Sequence, residues 1–290
     1  MRGVTGGEEA PSPPVDLTLP TGGAIRRAYV DCDIGQLHLR YLVPAPERRR
    51  GRPVALFAAA PSSGVVFREL MLDLGQDRTV LAFDSPGCGA SDAPDTPFEH
   101  PRLSAGLFAQ ALRRLGVETA DLYGNHSGAV LALALAAFYP GQVGAVAVSA
   151  VPFIRDEARR EALRGRYISL EDIAALEALR LQHERKVTAR PASLGFERAV
   201  ELYTDALAAG VRMNWPMRAS YAPGHEDWLA TIAAPVTYLQ TNNTLREATI
   251  DAASVTPLAH LRERGDLDHF ALWTRAAELA AELRRAFAES

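Results

Sequence analysis

Hydrophobic positions along the chain are of two kinds: short unbroken runs, and longer segments where they recur every three or four residues. Pro53 to Ala58, Thr79 to Phe83, Ala120 to Tyr123 and Val143 to Val148 are runs of the first kind. A strand covered on both faces has no polar side to show, so such runs predict central strands of a parallel sheet. Pro235 to Gln240 and Ala259 to Leu261 continue the series towards the C-terminus. Between the runs, Val66 to Leu74 and Leu103 to Leu115 have helical spacing, the second with Gly116 as its stop. Ala28 to Asp31 and Gln36 to Leu42 flank a turn at Asp33 to Gly35 and predict an antiparallel hairpin. His269 to Phe287 predicts a closing helix. Strands that alternate with helices give an α/β class: a mostly parallel sheet with helices on both faces.

The alternation breaks from Phe153 to about Trp228, where no strand-like run occurs. Arg155 to Arg164, Leu170 to Arg185 and Phe196 to Ala209 predict amphipathic helices whose many Arg and Glu residues sit on solvated faces. The expected organisation is therefore a flexible tail over 1–24, a core over 25–152 and 229–290, and a helical cap insertion over 153–228. The tail holds Gly, Pro and acidic residues and has no basic, then apolar, leader.

Composition narrows the functional classes. In 290 residues, 48% are hydrophobic, enough for one large core. The net charge of -4 gives no electrostatic ground for nucleic acid or an anionic membrane. The apolar stretch that ends at Pro140-Gly141 is too short to cross a bilayer. Two cysteines, Cys32 and Cys88, form neither a disulfide framework nor a metal site and predict a cytoplasmic setting. Arg48 to Arg50 reads as a solvated loop. No metal-ligand spacing, phosphate-binding glycine loop or nicotinamide fingerprint occurs, so neither metal nor cofactor is expected. The expected partner is a small-molecule substrate, and a homo-dimer is left open.

The stretch from Asp121 to Pro140 carries the candidate chemistry. An apolar strand meets Gly124-Asn125-His126-Ser127-Gly128 and continues into an Ala/Leu helix. A strand that enters a helix through Gly-x-x-x-Gly has the layout of a nucleophile elbow. Side chains at the two glycines would collide with the adjoining strand and helix. The central residue is pushed out at the carboxyl end of the sheet. That residue is His126. A slipped register would offer Ser127 instead, on the first helical turn, where serine more often caps.

Asp84-Ser85-Pro86-Gly87-Cys88-Gly89-Ala90-Ser91-Asp92 is close to an Asp-x-Pro-Gly-x-Gly-x-Ser segment. With the elbow, the strand at Pro235 to Leu239 and the Asp-His-Phe before the last helix, it makes the chain resemble the α/β-hydrolase superfamily. The nearest likeness is to capped members such as epoxide hydrolases and haloalkane dehalogenases. The resemblance runs from about Tyr29 to the C-terminus and implies an α/β-hydrolase fold with a helical cap. It implies His269 as the catalytic histidine and the backbone N–H groups of Ala60 and Ser127 as an oxyanion hole. The chain departs from the family at three places. The elbow carries His126 in place of Ser, Asp or Cys. Ala58-Ala59 stands where His-Gly is usual. Gln240 to Thr244 holds no acid, and neither does Ser149-Ala150.

Two histidines, His126 and His269, are expected to face one pocket. The helix N-terminus and their mutual repulsion would keep at least one neutral near pH 7, as a general base requires. Asn243 is the favoured orienting partner, with Glu247 as a stand-in acid. Trp215, Met217, Arg218 and Tyr221 are candidates to line an apolar substrate pocket with one cationic contact, with ordinary cap packing as the favoured alternative. Cys88 is expected to be inert. The combined reading is an enzyme for a small, largely apolar, carbonyl-containing molecule, using histidine acid/base chemistry for hydrolysis, elimination or cyclisation without a serine nucleophile. The alternative is a catalytically inactive ligand-binding protein of the same fold.

Overall fold

The predicted apolar runs are strands in the computed structural model, which describes residues 23–165, 170–268 and 270–289. Strands β1 (Arg26–Cys32) and β2 (Gly35–Leu42) form the hairpin. There follow β3 (Val54–Phe57), α1 (Arg68–Leu74), β4 (Val80–Phe83), α2 (Pro101–Arg114), β5 (Ala120–Asn125), α3 (Ser127–Phe138) and β6 (Val143–Ser149). Next come helices α4 (Glu157–Arg164), α5 (Leu170–Ala174), α6 (Leu176–His183), α7 (Phe196–Ala208), α8 (Trp215–Ser220) and α9 (His225–Leu229). The chain closes with β7 (Val236–Asn242), α10 (Arg246–Ser254), β8 (Ala259–Asp268), α11 (Ala271–Thr274) and α12 (Ala276–Ala288). The strands make one sheet in the order β1-β2-β4-β3-β5-β6-β7-β8, antiparallel at β1-β2 and β2-β4 and parallel thereafter.

Alternate strand positions feed two cores, because successive side chains leave a strand on opposite faces. Ala55, Phe57, Leu122, Val146 and Val148 pack with α2 and α3. Leu56, Val80, Ala82, Tyr123 and Ala147 pack with α1 and α12. Helix α3 is sealed between the sheet and neighbouring helices, with ten consecutive buried residues from Ser127 to Ala136.

Some expectations need correction. The last strand runs on to Asp268, well past Leu261. The closing helix is two helices, broken at Arg275, whose φ of -135° leaves the helical region. Helices α8, α9 and α10 carry no long periodic pattern and were not anticipated. Between β6 and β7 every described element is helical, and the surface of α6 is solvated as expected, with Arg180 paired to Glu177 and Glu184. In α7 the expectation fails at Arg198, which is buried. It bonds Glu69 in bidentate fashion (2.8 and 3.0 Å) and donates to the Val65 carbonyl (2.8 Å), so its charge is satisfied within the protein. The expected tail over 1–24 lies almost wholly outside the described residues. Among the described residues, no helix is long and apolar enough to cross a membrane.

Candidate active site

His126 joins β5 to α3 with φ 54° and ψ -121°, a conformation that non-glycine residues rarely adopt. The flanking glycines are required by contact. A Cβ on Gly124 would strike the Gly128 carbonyl, and one on Gly128 would strike the Phe57 carbonyl of β3. The His126 N–H donates to the Ser149 carbonyl (3.1 Å), so the pairing with β6 continues to the tip of the turn. At the end of β6, Ala150 also has positive φ, 52°. Two strained turns thus stand side by side at the carboxyl ends of adjacent strands, a placement typical of functional sites. They open into a cleft of about 1540 Å³, counted out to its mouth. Ala59, Ala60, Asn125, Met217, Asn242 and Asp268 are among its other walls.

Burial pushes the His126 pKa down to about 4 from the usual 6.5. The imidazole is therefore neutral at pH 7, and among the described residues desolvation is the cause. Its Nδ1 is buried with no hydrogen-bond partner. His269 lies outside the described residues. Its neighbour Asp268 reaches the cleft, with Oδ1 accepting the Phe270 N–H (2.9 Å).

The expected oxyanion hole is altered. The Ala60 N–H donates to Ser127 Oγ (2.8 Å), so it is already engaged. Ser127 is the first residue of α3, where a backbone N–H has no acceptor within its own helix, and that donor remains. Its hydroxyl ties the loop after β3 to the turn and caps no helix. Asn243 is also engaged. Its Nδ2 donates both protons to Thr241, at the carbonyl (3.0 Å) and Oγ1 (2.9 Å), and its Oδ1 accepts the Leu245 N–H (2.7 Å). That local turn uses both of its N–H protons and one lone pair of Oδ1, so only the second lone pair is left to accept from a histidine. Glu247 sits on α10 and does not line the cleft.

The four candidate substrate contacts separate. Trp215 lines a different, apolar cavity with Phe98, Val130, Leu131 and Pro216, where Ser127 also surfaces. Arg218 donates to Glu99 (2.8 Å), which Arg164 of α4 also holds (2.5 Å). Tyr221 is buried beside Phe153 and His225. Of that segment only Met217 reaches the cleft, because it lies about 200° around α8 from Trp215.

The loop from Asp84 to Asp92 is fastened from within. Asp84 accepts from His38 Nδ1 (2.8 Å), Gly64 N–H (2.8 Å) and Ala90 N–H (2.9 Å), and the Asp92 carboxylate accepts the Gln36 N–H (2.8 Å). Burial pushes the Cys88 thiol up to about 12, which removes the reactive thiolate.

No sequence pattern marked two further groups. A second cavity shares Ala59, Ala60 and Asn125 with the cleft and is lined on its far side by Lys186, Arg190 and Trp273. Asn125 donates to Ser149 Oγ (2.9 Å), which fixes it on the wall between the two spaces. Lysine and arginine on a charged helix read as solvated, so only tertiary packing places this pair. Among the described residues, no cluster of His, Cys, Asp or Glu is arranged to hold a metal ion.

His225 shares the property of His126. Burial pushes its pKa down to about 4, and its Nε2 is buried with no partner. An unfolded chain would take up protons at both histidines below about pH 6.5, while the folded chain resists until about pH 4. Stability is therefore full above pH 6.5 and falls as the pH drops towards 4. At pH 5 each histidine should have cost on the order of 2 kcal/mol. Urea unfolding of the wild type and His225→Gln at pH 7 and pH 5 checks this. The variant should lose less on acidification by about that amount, and an unchanged difference would rule the linkage out.

A family model described as alpha/beta hydrolase fold matches residues 52–233. A 2-(acetamidomethylene)succinate hydrolase from Mesorhizobium japonicum is 34% identical over 151 residues, which are 50% of this chain and 52% of that protein. The chain thus matches about half the length of that relative. Among solved structures, the enol-lactonase from Burkholderia xenovorans LB400 superposes with TM-score 0.71 at 18% identity, over 91% of this chain and 100% of the other. An epoxide hydrolase from Vigna radiata superposes with TM-score 0.70 at 16% identity, over 92% and 98%. These two likenesses carry the fold alone. With the family match over most of its length and the sheet order described above, the chain belongs to the α/β-hydrolase fold family.

Proposed function

We propose that this protein is a hydrolase of a small, carbonyl-containing molecule, with His126 as general base at the elbow position and no serine nucleophile. The supporting observation is the placement of His126: a neutral imidazole at the tip of a strained turn, facing a cleft, with one ring nitrogen given no partner by the protein. In this reading His126 takes a proton from water as the water adds to the carbonyl. The Ser127 N–H and the first turn of α3 stabilise the oxyanion. Residues 153–228 act as the cap, with Met217 covering the cleft and His269 completing the acid/base pair. The Mesorhizobium relative is named for hydrolysing a compound that carries an acetamido group, which fits attack on an amide carbonyl. The expected setting is cytoplasmic.

A second reading, a ligand-binding protein without turnover, has one observation in its favour: Ser127 Oγ occupies the Ala60 N–H that an oxyanion hole would use.

Two measurements test the proposal together. A fluorophosphonate probe should leave the protein unlabelled, since position 126 holds no hydroxyl and the buried Ser127 hydroxyl accepts a hydrogen bond from Ala60. A panel of small N-acyl and ester compounds should reveal turnover. Stoichiometric labelling at Ser127 would make it a serine hydrolase. Binding from the same panel with no turnover would favour the second reading.

A further inference from the structure

After α6 the chain widens into one π-helical turn over Glu184–Thr188, closed by the Ala189 N–H on the Glu184 carbonyl (2.8 Å). Such turns recur at functional sites because they re-aim side chains. Here the turn brings Lys186 and Arg190 to the cavity beside the cleft, and Arg190 Nε donates to the Lys186 carbonyl (2.9 Å). The Arg190 guanidinium lies over the Trp273 ring at 4.2 Å and the Phe270 ring at 5.5 Å. Trp273 is itself pinned, its Nε1 donating to the Val66 carbonyl (3.0 Å). The guanidinium thus rests against two aromatic rings, with Nη1 buried and given no partner.

Lys186 is half-buried, and its pKa is lowered first by burial and then by Arg190. Among the described residues neither cation has a carboxylate within ion-pairing distance. The acid that favours the charge on Lys186, Asp205, makes no ion pair with it and accepts from the Ser63 N–H (2.9 Å) and Oγ (2.5 Å). Two neighbouring, half-buried cations with no ion-pair partner of their own are costly in a folded protein. An anion in the cavity would relieve that cost and meet both donors.

We propose that this cavity is an anion subsite, in which Lys186 and Arg190 hold a carboxylate of the substrate while its carbonyl reaches His126 past Asn125. The assignment rests on the hydrolase reading above and narrows its substrate to a small carbonyl compound that carries a carboxylate. The two spaces adjoin at Ala59, Ala60 and Asn125, which is the ground for placing one short molecule across both.

Malonate, succinate and glutarate, each against its uncharged diamide, test the subsite without any turnover. The titrations use calorimetry on the full chain, with Trp273 fluorescence as a second signal. At least one acid should bind, and its diamide should bind about tenfold more weakly or worse, as expected for losing a charge-assisted contact. Lys186→Met and Arg190→Gln should each weaken the acid by a similar factor, and Lys186→Arg should retain most of the affinity. If Arg190→Gln fails to fold, the Lys186 pair decides. Equal binding of acid and diamide, full affinity in Lys186→Met, or no binding of any acid would overturn the subsite. Acids that bind through Lys186 while no carbonyl compound is ever hydrolysed would uphold the subsite and remove the catalytic reading. Turnover that needs His126 with no acid bound would do the reverse.

Discussion

Replacing His126 with alanine should lower turnover by about 10²–10⁴-fold, the usual worth of a general acid–base group, while the protein stays folded. The fold should survive because the imidazole supports nothing. Its Nδ1 has no partner, and the turn is held by the close approaches at Gly124 and Gly128 and by the backbone bond from His126 to Ser149. The pH profile sharpens the test. The base works when neutral, and burial keeps it neutral down to about pH 4. The wild-type rate should therefore be flat through neutrality on this limb and fall only as the pH drops through about 4. His126→Ala should lose that limb. A wild-type limb near 6.5 would mean that water reaches the ring in the working enzyme, and unchanged turnover in the variant would end its role as base.

Asp84→Ala should cost about 3–5 kcal/mol of stability, in the range for removing one partner from a buried charged network. Asp84 is 1% exposed and receives three donors: the His38 ring, Gly64 N–H and Ala90 N–H. Alanine would strand all three in the interior, where an unmet donor costs far more than a met one gains. Asp84→Asn keeps the shape but brings its own N–H protons to a place built for donors, so an intermediate loss is expected. Urea unfolding at pH 7 measures both. A loss below about 1 kcal/mol for alanine would show that the loop relaxes to water without strain. Any loop movement should also disturb the apolar cavity that Ser85 and Pro86 line.

The central strands were legible because a sheet covered on both faces demands continuous apolar runs. The end of β8 was not: Arg262, Glu263 and Arg264 sit on an edge strand paired only with β7, where no burial writes a pattern into the sequence. The turn at His126 was legible for a steric reason, since a glycine on each side of it, between an apolar strand and an apolar helix, points to backbones in close contact. The burial of His126 was not foreseen, because burial is a property of the packed molecule. Side-chain commitments were the least visible. Asn243 and Ala60 are used up by neighbours two and sixty-seven residues away. The separation of Trp215 from Met217 follows from helical rotation, which could have been read had α8 been foreseen. Lys186 and Arg190 look like surface charges until Trp273 and Phe270 fold beneath them.

The turn at position 126 has a consequence for how this chain can change over time. Its φ of 54° is imposed by neighbours, and the residue there contributes only a side chain to the cleft. With ψ of -121° the angles lie outside the left-handed helical well, so every non-glycine residue there is strained, and β-branched ones such as valine and isoleucine are the least tolerated. The scaffold therefore filters replacements by backbone tolerance alone and is indifferent to what they react with. Lineages carrying this fold can exchange the group at the tip by single codon steps while every strand and helix stays in place. Shape is inherited separately from reactivity.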